Sequence, residues 1–121
     1  MSERDIVLLL EDILDSCHKI KKYTKGMDFQ SFFDDEKTVD AVVRNFEIIG
    51  EAANRIDAEF RVRHQEIKWN RIRGFRNRIV HEYFGIDYEI VWSIIEEKLD
   101  NLILEISNLI DELKPDHSLN N

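Results

Sequence analysis

The chain has 121 residues, 43% of them hydrophobic and 35% charged, with a net charge of −8. That length holds one modest core, and a single proline and four glycines leave little material for the turns of an all-β fold. No apolar run is long enough to span a bilayer, Ile6 to Leu10 is too short for a signal sequence, and the lone Cys17 offers neither an internal disulfide nor a metal-binding spacing.

What remains is a soluble, cytoplasmic, all-α protein with no metal, no cofactor and no membrane partner. Four long helical segments account for most of it. The first starts after Ser2, which stands in capping-box spacing with Asp5. It carries Ile6, Leu9, Leu10, Ile13, Leu14, Cys17 and Ile20 on one stripe and ends at Gly26. An aromatic connection, Met27 to Phe33, plugs the edge of the core. The second helix begins at Asp34-Asp35-Glu36, acids suited to a helix N-terminus. Its stripe is Val39, Val42, Val43, Phe46, Ile49, Gly50, Ala53 and Ile56, with Gly50, Ala52 and Ala53 small enough for another helix to approach closely.

Residues 58–68 read as one short helix and a turn. The third helix is expected from Asn70 to Phe84, with Ile72, Phe75, Ile79 and Tyr83 on one side. Gly85 stops it and Asp87 caps the next. The fourth spans Tyr88 to Leu113, and its apolar stripe is wide enough for part of it to face a second subunit. Trp69 and Trp92 are expected as core or interface anchors, and His18, His64 and His117 as surface or packing residues. Residues 1–114 thus form one domain, an up-and-down bundle of four long helices with short helical turns, and 115–121 a disordered tail.

Charge is unevenly spread. Arg61 to His81 holds seven Lys/Arg and one acid, for a segment charge of +6, while the remainder carries −14. An acidic protein with one concentrated basic element attracts a polyanion locally and repels it elsewhere. Within that segment, Arg76, His81 and Tyr83 stand at the spacing R-x4-H-x-Y. Metal-free RNA cleavage needs a base for the 2′-OH, an acid for the leaving 5′-oxygen and a cation for the phosphorane. Histidine suits proton transfer near neutral pH, and a guanidinium stays charged and forks onto phosphate oxygens. On a straight helix at about 100° per residue, Arg76 and His81 lie roughly 140° apart. One helix therefore makes a poor pocket, and two copies facing a shared groove make a better one. Locally, His81 reads equally well as a group bonded to helix-terminal carbonyls, and Tyr83 as a buried phenol at the rim.

The run Arg76-Asn77-Arg78-Ile79-Val80-His81-Glu82-Tyr83, continued through Gly85-Ile86-Asp87 to Val91-Trp92, resembles the HepT-like branch of the HEPN superfamily. Arg44 to Ala53 resembles the second helix of that branch, and Ile67-Lys68-Trp69 the lead into its third; Lys68 stands where relatives often have proline. The similarity covers roughly residues 5–112. It implies an all-α bundle that forms a homodimer with its R-x4-H motifs on a common cleft. It further implies a metal-independent endoribonuclease acting on RNA, the toxin of a type VII toxin–antitoxin pair. The partner would be an MntA-like minimal nucleotidyltransferase antitoxin that silences it by AMP transfer to the tyrosine. Carried over, Arg76 and His81 are catalytic, Asn77 a supporting polar residue and Tyr83 the AMPylation site; Arg73, one turn back from Asn77 on the same helix face, is a second supporting polar residue. Arg71, Arg73 and Arg78 are the expected RNA contacts, and Glu47 and Glu51 are placed to orient arginines of the third helix. The rival expectation is a non-catalytic helical module that docks the nucleotidyltransferase. A third is a structural dimer whose arginines only satisfy Glu47, Glu51 and other acids.

Overall fold

A computed structural model describes residues 1–114. Helix α1 (Glu3–Thr24) opens on the reciprocal cap expected of it: Ser2 Oγ accepts from the Asp5 N–H at 3.1 Å and the Asp5 carboxylate from the Ser2 N–H at 3.3 Å. Its stripe is buried from Ile6 to Ile20 except for Leu14, which packs half-exposed against the core edge. Gly26, at φ 79°, turns the chain away from the helix end. The aromatic connection is itself a helix, α2 (Phe29–Asp34), capped by Asp28 and Ser31. Its Phe32 is fully buried and lies 5.2 Å between ring centroids from the half-buried Trp92.

Helix α3 (Glu36–Arg55), capped by Asp35, buries every residue of its expected stripe. It packs on α1 and also touches α2, α5 and α6, while α8 packs on α1. After α4 (Ala58–Arg63) comes α5 (Trp69–Arg73), whose backbone lies directly on α3 at Gly50. A Cβ there would stand 3.2 Å from the Ile72 carbonyl oxygen and 3.5 Å from that of Arg73. The small residue does permit the close approach. Trp69 is buried and donates its indole N–H to the His64 carbonyl at 2.9 Å.

The expected third helix, Asn70 to Phe84, is not continuous. It breaks at Gly74, resumes as α6 (Phe75–Ile79) and then leaves helical geometry. Strand β1 (Val80–His81) pairs antiparallel with β2 (Gly85–Ile86), Val80 opposite Ile86 and His81 opposite Gly85. The Phe84 N–H donates to the His81 carbonyl at 3.2 Å, and Gly85 follows at φ 76°. A three-residue turn closed by a left-handed glycine is a common hairpin connection. Gly85 therefore closes a hairpin instead of terminating a helix. The Asp87 N–H bonds the Ile79 carbonyl at 2.7 Å, so the hairpin's exit is pinned to the end of α6. Tyr83 leaves the stripe of Ile72, Phe75 and Ile79 and stands in solvent.

The fourth helix is distorted at Lys98 into α7 (Tyr88–Glu97) and α8 (Leu99–Leu113). Lys98 still donates to Ile94 and accepts from Leu102, so the hydrogen-bonded run continues through the distortion. Apolar residues from each of the eight helices among the described residues join one buried cluster, an all-α bundle with a small hairpin. No helix among the described residues is long and apolar enough to cross a membrane. His18 is exposed as expected, while the expected tail, with His117, lies outside the described residues.

Candidate active site

The hairpin places His81 beside a residue that sequence reading assigned only to helix capping. Asp87 Oδ1 accepts the Ile90 N–H at 3.1 Å as the N-cap of α7, and Oδ2 lies 3.3 Å from His81 Nε2. The imidazole side chain is 43% exposed, and its Nδ1 makes no hydrogen bond among the described residues. A neutral histidine that gives one N–H to a carboxylate keeps a lone pair on the other nitrogen, the arrangement a proton acceptor needs.

Arg76, on α6, reaches back to α3: its Nε stands 3.9 Å from Glu47 Oε1. Glu47 is shared with Arg44, at 3.5 Å, and Glu51 pairs with Arg44 at 3.8 Å instead of with an arginine of α5 or α6. No hydrogen bond or ion pair joins Arg76 to His81; each faces its own carboxylate. Asn77 is exposed with no side-chain bond among the described residues, and Arg73 Nε donates to Asn54 Oδ1 at 2.7 Å.

The remaining cations gather elsewhere on the same segment. A groove of about 650 Å³ between α5–α6 and α7–α8 has Ile72, Phe75, Leu99 and Leu102 in its lining and Lys68, Arg71, Arg78 and Lys98 as its cations. A second depression of about 500 Å³ adds Arg61 and Arg73 and shares Lys68, Asn70 and Arg71 with the first. Arg61 is drawn below its ordinary value by desolvation and then by the neighbouring charge of Arg73. The two depressions make one cationic surface on an acidic protein. Arg76, His81 and Tyr83 line neither, so the expected RNA contacts lie in the depressions, while Arg76 sits on α6 and His81 and Tyr83 on the hairpin.

At the hairpin tip Tyr83 and Phe84 are 88% and 89% exposed. The expectation of a buried Tyr83 is overturned, because the turn carries it off the helix face. Away from this region, His64 lies 3.5 Å from Glu66, and these two lie within 4.8 Å of Glu112, a surface cluster of one imidazole and two carboxylates.

The family described as Ribonuclease HepT-like matches residues 13–109. The chain belongs to that family. Among its relatives is a protein of Methanocaldococcus jannaschii named "Putative RNase", 36% identical over 114 residues, 94% of each chain. Another, with the same description, is from Caldanaerobacter subterraneus subsp. tengcongensis, 36% identical over 105 residues, 87% of this chain and 94% of the relative. A Thermococcus cleftensis protein named "Probable ribonuclease HepT" is 38% identical over 93 residues, 77% of this chain and 84% of the relative. No solved structure matches.

Two residues of this HepT-like chain escaped sequence reasoning, Asp87 as the partner of His81 and Phe84 as an exposed aromatic. A signal for both was present. Val80 and Ile86 flank a glycine-closed turn rich in aromatic residues, which reads as a hairpin and brings position 81 beside 87.

Proposed function

We propose that this HepT-like protein is the toxin half of a type VII toxin–antitoxin pair, an endoribonuclease that needs no metal and works at a centre shared by two copies. The observation that carries this reading is His81, held by Asp87 on one side and open on the other, in a chain of the HepT-like ribonuclease family. In this reading an imidazole nitrogen removes the 2′-OH proton and O2′ attacks phosphorus. The 5′-oxygen departs with a proton, leaving a 2′,3′-cyclic phosphate. One His81 supplies one of the two proton transfers, and water supplies the other. Arg76 forks onto the pentacoordinate phosphate and Asn77 binds a neighbouring oxygen. Arg71, Arg73 and Arg78 hold flanking phosphates along the cationic surface.

Silencing follows from the tip. The phenol oxygen of Tyr83 attacks the α-phosphorus of ATP on an MntA-like nucleotidyltransferase, and pyrophosphate leaves. The AMP adds bulk and negative charge two residues from His81, where RNA phosphates must sit. The 88% exposure of Tyr83 supports an acceptor that another protein reaches. The same exposed tip favours the second reading, a non-catalytic module that only docks the transferase.

Cleavage of RNA by pure protein in EDTA separates the two. The toxin reading expects cleavage by the native protein and its loss in a folded His81→Ala variant. A docking module expects none from either, and activity that requires added metal contradicts the proposal.

A further inference from the structure

We infer that Asp87 is a positioning residue for His81, locking its imidazole as the Nε2–H tautomer and leaving Nδ1 as the nitrogen that exchanges protons with RNA. The inference rests on the ribonuclease reading for its catalytic half; the tautomer itself does not.

A carboxylate accepts hydrogen bonds and has none to give. With Asp87 Oδ2 at 3.3 Å, Nε2 must carry the hydrogen, and the neutral ring then holds its lone pair on Nδ1. The ring's orientation is equally determined, since turning it over would set a carbon against the carboxylate in place of Nε2.

Asp87 can direct His81 because it is itself immobilised at two other points. Its backbone N–H donates to the Ile79 carbonyl at 2.7 Å, its Oδ1 accepts from Ile90, and Oδ2 alone is left for the histidine. His81 sits on a strand of two residues, which by itself fixes little. Through Asp87 the ring is referred to the first turn of α7, whose Val91, Ile94 and Ile95 are buried in the core. One aspartate thus joins a helix cap to the orientation of the proton-transfer group.

Asparagine at this position separates the two duties. It caps helices as well as aspartate does, so Ile90 keeps its partner. With its oxygen on Ile90, however, its NH₂ group faces His81, and Nε2 must become the acceptor. The proton moves to Nδ1, and the outward nitrogen loses its lone pair. Serine is a second probe, since its hydroxyl caps α7 but does not reach out as a carboxylate to the ring.

The test is long-range ¹H–¹⁵N spectroscopy of histidine-labelled full-length protein at a pH where the ring is neutral, with His81 assigned from a His81→Gln sample. Cleavage kinetics of the same proteins accompany it. Wild type should show Nε2–H, and Asp87→Asn should show Nδ1–H. The Asn variant should lose about 100-fold or more in kcat, within the range ascribed to a general acid or base, with KM changed by less than about threefold. Asp87→Ser should stay folded and also lose kcat. An Nδ1–H ring in the wild type overturns the inference, as does an Asn variant that cleaves at the native rate. Should the wild type not cleave RNA at all, the ribonuclease reading falls, and the two tautomers alone decide whether Asp87 sets the ring.

Discussion

Arg76 Nε lies 3.9 Å from Glu47 Oε1, tying α6 to α3 across a surface on which the arginine side chain is 64% exposed. An ion pair that long and that solvated contributes on the order of 0–1 kcal/mol. Arg76→Ala should therefore keep its helical circular dichroism and melt within a few degrees of wild type while losing RNA cleavage. A variant that unfolds would return Arg76 to a purely structural role. Arg76→Lys should restore little activity, because an ammonium does not fork onto two phosphate oxygens.

Gly50 makes the opposite prediction. A Cβ at this position would meet the Ile72 and Arg73 carbonyl oxygens at 3.2 and 3.5 Å, and backbone cannot swing aside as a side-chain tip does. Gly50→Ala gains up to about 1 kcal/mol of helix propensity against that crowding, so its melting temperature should move little. Gly50→Leu forces α5 off α3 and should cost about 1–3 kcal/mol or more. Thermal melts of the pair check this, and a leucine variant as stable as wild type would refute the packing.

Burial pushes the Cys17 thiol up to about 12 from an ordinary value of 9.0. Native protein should resist thiol reagents at pH 8 and react only when denatured. In the unfolded chain the thiol ionises from about 9.0 upward, whereas the folded chain holds its proton, so stability should fall as pH rises through the interval up to about 12. Denaturant midpoints compared between wild type and Cys17→Ala across pH 8 to 11 should isolate that slope; a flat difference contradicts the buried thiol.

Tyr83→Phe removes only the phenol oxygen from a side chain in solvent. Expressed alone it should remain as toxic as wild type, and expressed with an MntA-like transferase it should stay toxic. Intact-mass spectra should show AMP on the wild type and none on the variant. A variant that still gains one AMP would place the acceptor elsewhere.

How much of this was legible in the sequence depended on the period being read. The stripes of α1 and α3 repeat over many turns, and the caps at Ser2, Asp35 and Asp87 are where the residue types put them. The segment after Trp69 failed because Ile72, Phe75, Ile79 and Tyr83 also fit a helical period, which concealed the break at Gly74 and the hairpin at Val80. Two-residue strands carry too little alternation to compete with a helical stripe. That error set Arg76 and His81 on one straight helix and buried Tyr83. It left Asp87 as a cap only, since the His81 contact exists only once the hairpin folds back. Arg71 and Arg78 were recognisable as cations, but the groove they line exists only once their helices pack beside Ile94, Lys98, Leu99 and Leu102.

Mixing two inactive variants tests the central claim most directly. Arg76→Ala and His81→Ala proteins, denatured together and refolded into mixed assemblies, should each lack cleavage alone. A centre shared between copies then contains one native guanidinium and one native imidazole, and the mixture should recover a measurable fraction of wild-type RNA cleavage in EDTA. A mixture that forms mixed dimers and stays inactive would contradict the shared ribonuclease centre.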